Sequence, residues 1–267
     1  MSRVKRTSMT PVPPFASGRR HFLWRFLAGA SALALAGCDA ITNSRWGAKS
    51  LQLEESANRG AQRGLTADTS LAQEFTEADL SPQFRSNGTS SPEDAQYQRL
   101  AANAFRDWRL KIDGLVQVPL ELSLVQLRAM KSRTQITRHD CVEGWSAIGK
   151  WRGAPLSEVL ALAQPSSAAR FVVFHCADPM DDVGTRYYES IGLQDARHPQ
   201  TILAYELNDK ALPIPNGAPI RVRVERQLGY KMAKYIMRIE LVEHLHGIGG
   251  GNGGYWEDQG YEWYAGI

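Results

Sequence analysis

The sequence predicts a single folded domain of mixed α/β (α+β) structure. Of the 267 residues, 43% are hydrophobic and 22% are charged, a balance that is typical of globular proteins. Segments with alternating apolar residues, as in strands, are interspersed with short segments whose apolar residues recur at helical spacing. No internal repeat and no coiled-coil pattern is present. One domain over residues 81–267 accounts for these patterns.

The first half of this domain contains two strands, a helix and a third strand. Residues 108–122 predict a hairpin with Asp113 and Gly114 at its turn. Residues 123–130 predict a short helix that is capped by Ser123. Residues 134–139 predict a strand that leads to a cysteine at position 141.

The second half contains one amphipathic helix and three strands. The helix is predicted over residues 154–165, and residues 170–176 predict a buried strand. Residues 219–227 and 234–245 alternate as strands do. The residues expected to face the core are Leu156, Val159, Leu160 and Ala163 on the helix and Ile220, Val222 and Val224 on the first alternating strand.

The net charge of +3 comes from the N-terminal segment. Residues 1–37 hold six of the 31 basic residues and no acidic residue, which leaves 25 basic against 28 acidic residues in the remainder. The domain itself is therefore slightly acidic, and the composition gives no reason to expect nucleic-acid binding.

Residues 1–38 are predicted to be an export signal. A twin arginine, Arg19-Arg20, precedes an apolar run over residues 26–36 that is too short to span a bilayer. The twin arginine resembles the signal of the twin-arginine route, and "LALAGC" resembles a lipoprotein cleavage box that ends at Cys38. We expect a periplasmic protein anchored to the membrane surface by lipid on Cys38. A plain N-terminal membrane anchor is the alternative.

The twin-arginine route carries folded proteins, which favours a cofactor that is inserted before export. Residues 39–80 are polar, rich in Ala, Ser, Gln and Glu, and predict a tether between the signal and the domain.

With Cys38 assigned to lipid, Cys141 and Cys176 remain. In an oxidising compartment they could form a disulfide, and either could be a buried structural cysteine. The polar neighbours of Cys141, among them His139, Asp140 and Glu143, are unusual around an inert thiol. Zinc is not expected, because the chain has no CxxC motif and no histidine pair at the usual ligand spacing. A single thiolate fits a metal whose other ligands come from a cofactor.

Two segments resemble the molybdenum-cofactor domain of the sulfite oxidase family: "CVEGWSAIGKWRGAPLSEVL", from Cys141, and "LPIPNGAPIRVRVERQLGYKMAKYIMRIEL", from Leu212. The resemblance implies a single sulfite-oxidase-type molybdopterin-binding domain without the family's C-terminal dimerisation domain. It also implies the molybdenum–molybdopterin cofactor, with Cys141 as the catalytic residue and the metal ligand.

The same resemblance implies the residues that contact the pterin. A pyranopterin carries a phosphate and a ring with many donors and acceptors, so it requires basic and amide groups. The residues at the matching positions are Asn216, Arg221, Met232, Ala233 and Lys234.

Four further positions are candidates for cofactor contacts. Arg85 and Ser86 stand where the methionine-sulfoxide reductase branch of the family has Tyr and Glu, and Cys176 stands where that branch has Thr. Cys176 either faces the pterin or packs beneath it. His139 lies two residues before Cys141 on the predicted strand, and it is either a donor to the cofactor or a structural histidine.

The resemblance implies a two-electron oxygen-atom transfer on a small sulfur-type or sulfoxide substrate, including protein sulfoxides. A sulfite site would use clustered arginines, for which Arg138, Arg152 and Arg186 are candidates. A reductase site would be lined by aromatic residues, and "DCVEGW" is closer to that branch. The aromatic candidates are Trp145, Trp151, Tyr187, Tyr188 and Tyr230.

The chain has no haem motif, so electrons are expected to pass through a separate partner, with a membrane cytochrome b as the hypothesis. The alternative function is a cofactor-free, lipid-anchored binding protein with a Cys141–Cys176 disulfide.

Overall fold

The computed structural model of the chain describes Gly60 and residues 70–267. The predicted export signal, with Cys38 as its predicted site of lipidation, and most of the predicted tether lie outside the described residues. Within residues 70–267, no helix is both long enough and apolar enough to cross a bilayer.

The described part of the predicted tether, residues 70–80, lies along the domain. The amide of Phe75 donates to the carbonyl of Ile136 at 2.8 Å. The amide of Ala72 donates to the side chain of Gln200 at 2.8 Å, and a short 3₁₀ helix follows at Glu77–Asp79. These hydrogen bonds attach the described end of the tether to the domain.

The domain contains ten strands and five short α-helices within residues 70–267. The helices are α1 (Ala95–Ala102), α2 (Leu124–Ala129), α3 (Leu156–Ala163), α4 (Leu193–Ala196) and α5 (Tyr255–Asp258). The strands are β1 (Arg109–Gly114), β2 (Leu120–Ser123), β3 (Arg133–Cys141), β4 (Trp145–Pro155), β5 (Phe171–Pro179), β6 (Arg186–Gly192), β7 (Ile202–Leu207), β8 (Lys210–Ala211), β9 (Arg221–Arg223) and β10 (Ile236–Val242).

The strands form two mixed or antiparallel sheets. The first has the order β2-β1-β10-β5-β6, in which β1 and β10 are parallel and the other pairs are antiparallel. The second has the order β3-β4-β7-β8, and β9 pairs with β7. The α+β class expected from the sequence is confirmed.

The main core is a cluster of buried apolar side chains that belong to both sheets. Leu110 and Ile112 of β1, with Phe174 of β5, come from the first sheet. The predicted inward faces of α3 and of the strand at 219–227 are confirmed, since their apolar residues join the same cluster. Those residues are Leu156, Val159, Leu160, Ala163, Ile220, Val222 and Val224.

The predicted hairpin is present, but its turn is longer than expected. β1 and β2 pair antiparallel, with Lys111 opposite Glu121, and residues 115–119 connect them. Gly114 belongs to the strand, because it pairs with Leu241 of β10 at positive φ (+84°). A Cβ there would lie 2.3 Å from the carbonyl oxygen of Leu241, so the close parallel pairing requires glycine.

The predicted helix cap is confirmed. Ser123 accepts a hydrogen bond from the amide of Gln126 at 3.2 Å, and the Gln126 side chain accepts from the amide of Ser123 at 2.8 Å. This reciprocal pair is a capping box, and it fixes the start of α2 at the end of β2.

Candidate functional site

Cys141 lies at the end of β3, where the chain turns back into β4. Cys141 pairs with Trp145, and the amide of Gly144 donates to the carbonyl of Cys141 at 3.0 Å. Gly144 has a positive φ of +83°, which glycine adopts without strain. The turn leaves the thiol half-buried on the wall of a cavity.

The cavity has a volume of about 180 Å³ and is lined by several segments that are distant in the sequence. Residues 87–89, residues 141–143 and five residues of the segment 229–234 contribute to the lining. Further lining comes from the end of β5, from Tyr187 and from the C-terminal residues Trp256 and Tyr261.

The surroundings of the Cys141 thiol shift its pKa in both directions. Burial raises its pKa, and the negative charge of Glu143 adds to this. The backbone hydrogen bond at Glu143 and the positive charge of Arg221 lower it. A metal ion bound to the sulfur would stabilise the thiolate directly.

Arg221 and Asn216 meet next to residues 232–234. Arg221 is fully buried and donates to the carbonyls of Asn216, at 3.2 Å, and Met232, at 3.1 Å. Burial lowers the pKa of Arg221 to about 9, with a contribution from neighbouring Arg223, so the guanidinium remains charged at neutral pH.

Lys234 connects this group to the loop before α1. Its ammonium donates to the carbonyls of Asn87 and Thr89, and it lies 3.4 Å from the hydroxyl of Ser86. Burial, together with the positive charge of Arg221, lowers the pKa of Lys234 to about 7. A bound anion would offset the crowding of these positive charges.

His139 is fully buried beneath the cavity. Its Nδ1 lies 3.3 Å from the sulfur of Met232 and 3.1 Å from Nη1 of Arg223. Burial holds the pKa of His139 well below its usual range, and the charges of Arg223, Arg221 and Lys234 act in the same direction. The imidazole is therefore neutral at physiological pH.

The chemistry around the cavity fits a pyranopterin with a phosphate. Buried donors without a hydrogen-bond partner in the described chain lie at Nδ2 of Asn216 and Nε of Arg221. Buried acceptors without a hydrogen-bond partner in the described chain are Oδ1 of Asn87 and Oδ1 of Asp178. A ring system rich in donors and acceptors would satisfy such groups, and Arg221 and Lys234 supply the charge for a phosphate. Within residues 70–267, no cluster of protein side chains could hold a metal without such a cofactor.

The structure brings most of the predicted site residues together. Cys141, Met232, Ala233 and Lys234 line the cavity, and Asn216, Arg221 and His139 contact or adjoin that lining. Ser86 is close to Lys234, while Arg85 is exposed and lies outside the lining.

Cys176 is buried within the main core and is a free thiol, as is Cys141. Burial raises the pKa of Cys176 well above its usual range. The Cys141–Cys176 disulfide of the alternative function is therefore not formed: Cys141 ends β3 of the second sheet, and Cys176 lies in β5 of the first.

The three candidate arginines for a sulfite site lie outside the cavity. Arg138 forms an ion pair with Asp140 at 3.0 Å, Arg152 pairs with Glu206 at 3.6 Å, and Arg186 pairs with Asp94. Of the aromatic candidates, Tyr187 and Tyr230 line the cavity. Trp151 is fully buried, with the guanidinium of Arg223 4.5 Å from its ring centre.

Several residues of the site were not predicted from the sequence. Asp178 lines the cavity, and burial raises its pKa to about 6. Arg223 is fully buried and pairs with Glu225 at 2.6 Å. The alternation Arg-Val-Arg-Val-Glu at 221–225 was the available signal, because it places three charged residues on one face of a strand that runs through the core. Asn87 directly follows the candidate Ser86, whereas Trp256 and Tyr261 had no comparable signal.

Similarity to known proteins identifies the family of the chain. Residues 97–247 match the oxidoreductase molybdopterin-binding domain. A protein of Azospira oryzae, provisionally named as the protein-methionine-sulfoxide reductase subunit YedZ1, is 36% identical over 93% of this chain and 87% of its own length. The protein-methionine-sulfoxide reductase catalytic subunit MsrP of Xanthomonas axonopodis is 40% identical over 52% of this chain, and MsrP of Ralstonia nicotianae is 34% identical over 63%.

The matches to the two MsrP proteins span about half of their length, 46% and 53%. Among solved structures, the sulfane dehydrogenase SoxCD of Paracoccus pantotrophus is similar with a TM-score of 0.46 and 22% identity, over 52% of this chain and 39% of that one. The family match spans more than half of the chain, and the Azospira relative is similar over nearly all of it. The chain therefore belongs to the oxidoreductase molybdopterin-binding domain family, the sulfite-oxidase type of molybdenum oxidoreductase.

Proposed function

We propose that this oxidoreductase reduces a sulfoxide by two-electron oxygen-atom transfer, with electrons supplied by a separate redox partner. The observation that carries the proposal is the composition of the cavity beside Cys141. Its lining includes the rings of Tyr187, Tyr230, Trp256 and Tyr261. The basic side chain among the lining residues is Lys234, which we assign to the phosphate of the cofactor, and no arginine side chain among the described residues lines the cavity. Such a wall suits a neutral sulfoxide with apolar substituents better than the sulfite dianion.

The residues divide into those that hold the cofactor and those that shape the substrate cavity. Cys141 would bind the molybdenum through its sulfur, and Arg221, Lys234 and Asn216 would bind the pterin and its phosphate. When bound, the molybdenum–molybdopterin cofactor supplies the two-electron oxygen-transfer chemistry. The aromatic residues exclude water and orient the substituents of the substrate.

The names of the relatives support the choice of substrate. Both MsrP proteins are named as protein-methionine-sulfoxide reductases, so the side chain of oxidised methionine is the first substrate to test. Free methionine sulfoxide and small dialkyl sulfoxides present the same S=O group.

The deciding experiment measures molybdenum and activity in the same preparation. We expect close to one molybdenum per chain in protein purified from a host that makes the cofactor, and sulfoxide reduction with a viologen dye as electron donor. The Cys141→Ala variant should be folded and inactive. Turnover of sulfite without turnover of sulfoxides would reject the proposed substrate. A folded protein without molybdenum would reject the proposed chemistry.

Export and anchoring form a separate part of the proposal. The support is the leader sequence: Arg19-Arg20 before a short apolar run, and Cys38 at the end of a lipoprotein-type box. We expect a periplasmic, lipid-anchored enzyme. Replacing both arginines with lysine should leave the protein in the cytoplasm, and Cys38→Ala should release it from the membrane fraction; fractionation and mass spectrometry of the N-terminus measure both effects.

A membrane cytochrome b is the proposed redox partner. The support is that the sequence has no haem-attachment motif of its own, while the proposed lipid would hold the enzyme at the membrane surface. Reduced membranes from the native host should reoxidise their b-type haem when the enzyme and a sulfoxide are both added. If the enzyme is active with the viologen dye but the haem absorbance of the membranes does not change, this partner is rejected.

A further inference from the structure

The cavity beside Cys141 is completed by a part of the chain that lies outside the family match. The match ends at residue 247, and Trp256 and Tyr261 line the cavity from beyond that point. We call residues 255–261 the C-terminal wall. The wall therefore adds lining that the residues of the matched domain do not provide.

The rings of the C-terminal wall pack on each other and on a ring from the matched domain. The ring centres of Trp256 and Tyr261 lie 5.4 Å apart, with an angle of 31° between the planes. Tyr261 meets Tyr230 edge to face at 5.3 Å. The amide of Tyr261 also donates to the carbonyl of Trp256 at 3.0 Å, which fixes the spacing of the two side chains.

A buried ion cluster anchors the wall to the matched domain. The ammonium of Lys231 bonds to Glu257, within the wall, and to Glu189 of β6 at 2.5 Å. All three side chains are at least 99% buried. The Tyr230 hydroxyl donates to the carbonyl of Glu262 at 2.5 Å, just beyond the wall. The wall is thus tied to the residue that precedes the cofactor-contacting segment.

We propose that the C-terminal wall determines substrate specificity, and that Trp256 and Tyr261 bind the larger apolar substituent of a sulfoxide. The proposal rests on the proposed function for the nature of the substrate. The two rings face the same cavity as the thiol of Cys141, so a sulfoxide whose S=O group is directed to the metal site would place a substituent against them. Aromatic faces bind apolar groups and sulfur favourably, and they offer little to a small anion.

Binding of unreactive sulfones tests the wall without turnover. Methyl phenyl sulfone carries one large apolar substituent, and dimethyl sulfone carries none. In the molybdenum-loaded enzyme, we expect calorimetric titration to show that Tyr261→Ala weakens binding of methyl phenyl sulfone about tenfold. The same variant should change the affinity for dimethyl sulfone less than about twofold. Trp256→Ala should behave in the same way.

Two control variants accompany the test. Tyr261→Phe keeps the ring, so it should bind both sulfones like the parent. Val125→Ala removes an exposed apolar side chain on α2, far along the chain from the wall, and should change nothing. Because Tyr261 is 41% exposed, its alanine variant is expected to fold even if that of Trp256 does not.

Steady-state kinetics supply the second measurement. For methyl phenyl sulfoxide, Tyr261→Ala should raise KM about tenfold and leave kcat within about twofold, whereas dimethyl sulfoxide should be affected little. Equal weakening for both sulfones, or an unchanged affinity for methyl phenyl sulfone in a folded Tyr261→Ala protein, would overturn the proposal. If the parent and the Tyr261→Ala variant differ in sulfone binding as expected but the parent reduces no sulfoxide, the role of the wall in binding is supported and the proposed reaction is rejected.

Discussion

Nη1 of Arg223 donates a hydrogen bond to Nδ1 of His139 at 3.1 Å, and this contact fixes the tautomer of the buried imidazole. A guanidinium has no acceptor, so Nδ1 must accept and the hydrogen of the neutral ring lies on Nε2. That Nε2 has no hydrogen-bond partner in the described chain and lies against Gly229, which lines the cavity. The ring hydrogen of His139 therefore lies on Nε2, which faces Gly229 at the edge of the cavity.

The first prediction concerns Gly229→Ala. A Cβ at this position would lie 2.5 Å from both Cε1 and Nε2 of His139, so the imidazole or the backbone at residue 229 would have to shift. We expect unfolding in urea to show a loss of about 1–3 kcal/mol, the usual cost of overpacking a core. We also expect less molybdenum per chain in the purified protein.

Gly247→Ala is the matched control for this variant. A Cβ at Gly247 would meet nothing within 4 Å, so its stability and its molybdenum content should match those of the parent. A Gly229→Ala protein with parental stability would show that His139 can be displaced without cost.

The sequence predicted the elements whose pattern depends on local spacing. Residues 154–165 placed four apolar residues on one face, and α3 buries that face. The alternation at Ile220, Val222 and Val224 likewise predicted the core-facing side of the segment that contains β9. The resemblance in the second segment placed Asn216, Arg221 and Lys234 in one neighbourhood, and the structure has them there.

The remaining features depend on contacts between segments that are distant in the chain. The burial of Arg223 requires Glu225 beside it and Trp151 from β4 above it. Asn87 and Thr89 belong to the site because Lys234 bonds to their carbonyls across nearly 150 residues. Trp256 and Tyr261 reach the cavity through the pairing of Glu257 with Lys231. The spacing of neighbouring residues in the sequence does not predict such long-range contacts.

The second prediction concerns the pH dependence of stability through Asp178. Burial raises the pKa of this carboxyl from 3.8 to about 6, although Lys234 and Thr89 both lower it. Between these values the native state binds more protons than the unfolded state, so the contribution of Asp178 becomes less favourable as the pH rises. In cofactor-free protein, Asp178→Asn should thus gain stability over the parent between pH 4 and pH 7, by about 2–3 kcal/mol.

Urea unfolding of the parent and the variant at several pH values measures this difference. Asp181→Asn is the control, because Asp181 is exposed and its pKa is lowered by hydrogen bonds with Thr185. The interpretation fails if the difference between Asp178→Asn and the parent is the same at pH 4 and at pH 7.

The third prediction distinguishes the two thiols of the domain. Cys141 is half-buried at the cavity and Cys176 is buried, and neither is in a disulfide. In cofactor-free native protein, an alkylating reagent should modify Cys141 and leave Cys176 unmodified until urea unfolds the domain. Peptide mass spectrometry locates the label. If both thiols resist alkylation until a reductant is added, the disulfide is present instead.

The final prediction concerns the ion cluster that holds the C-terminal wall. Lys231 forms ion pairs with both Glu189 and Glu257, and burial raises the pKa of Glu189 well above its usual range. Lys231→Met would leave both carboxyl groups buried without their cation, which typically costs about 3–5 kcal/mol. Urea unfolding should show this loss. Lys111→Met should cost less than about 1 kcal/mol, because Lys111 pairs with Asp113 at the surface, with 54% of its side chain exposed. Equal losses for the two variants would mean that the cluster does not stabilise the attachment of the wall.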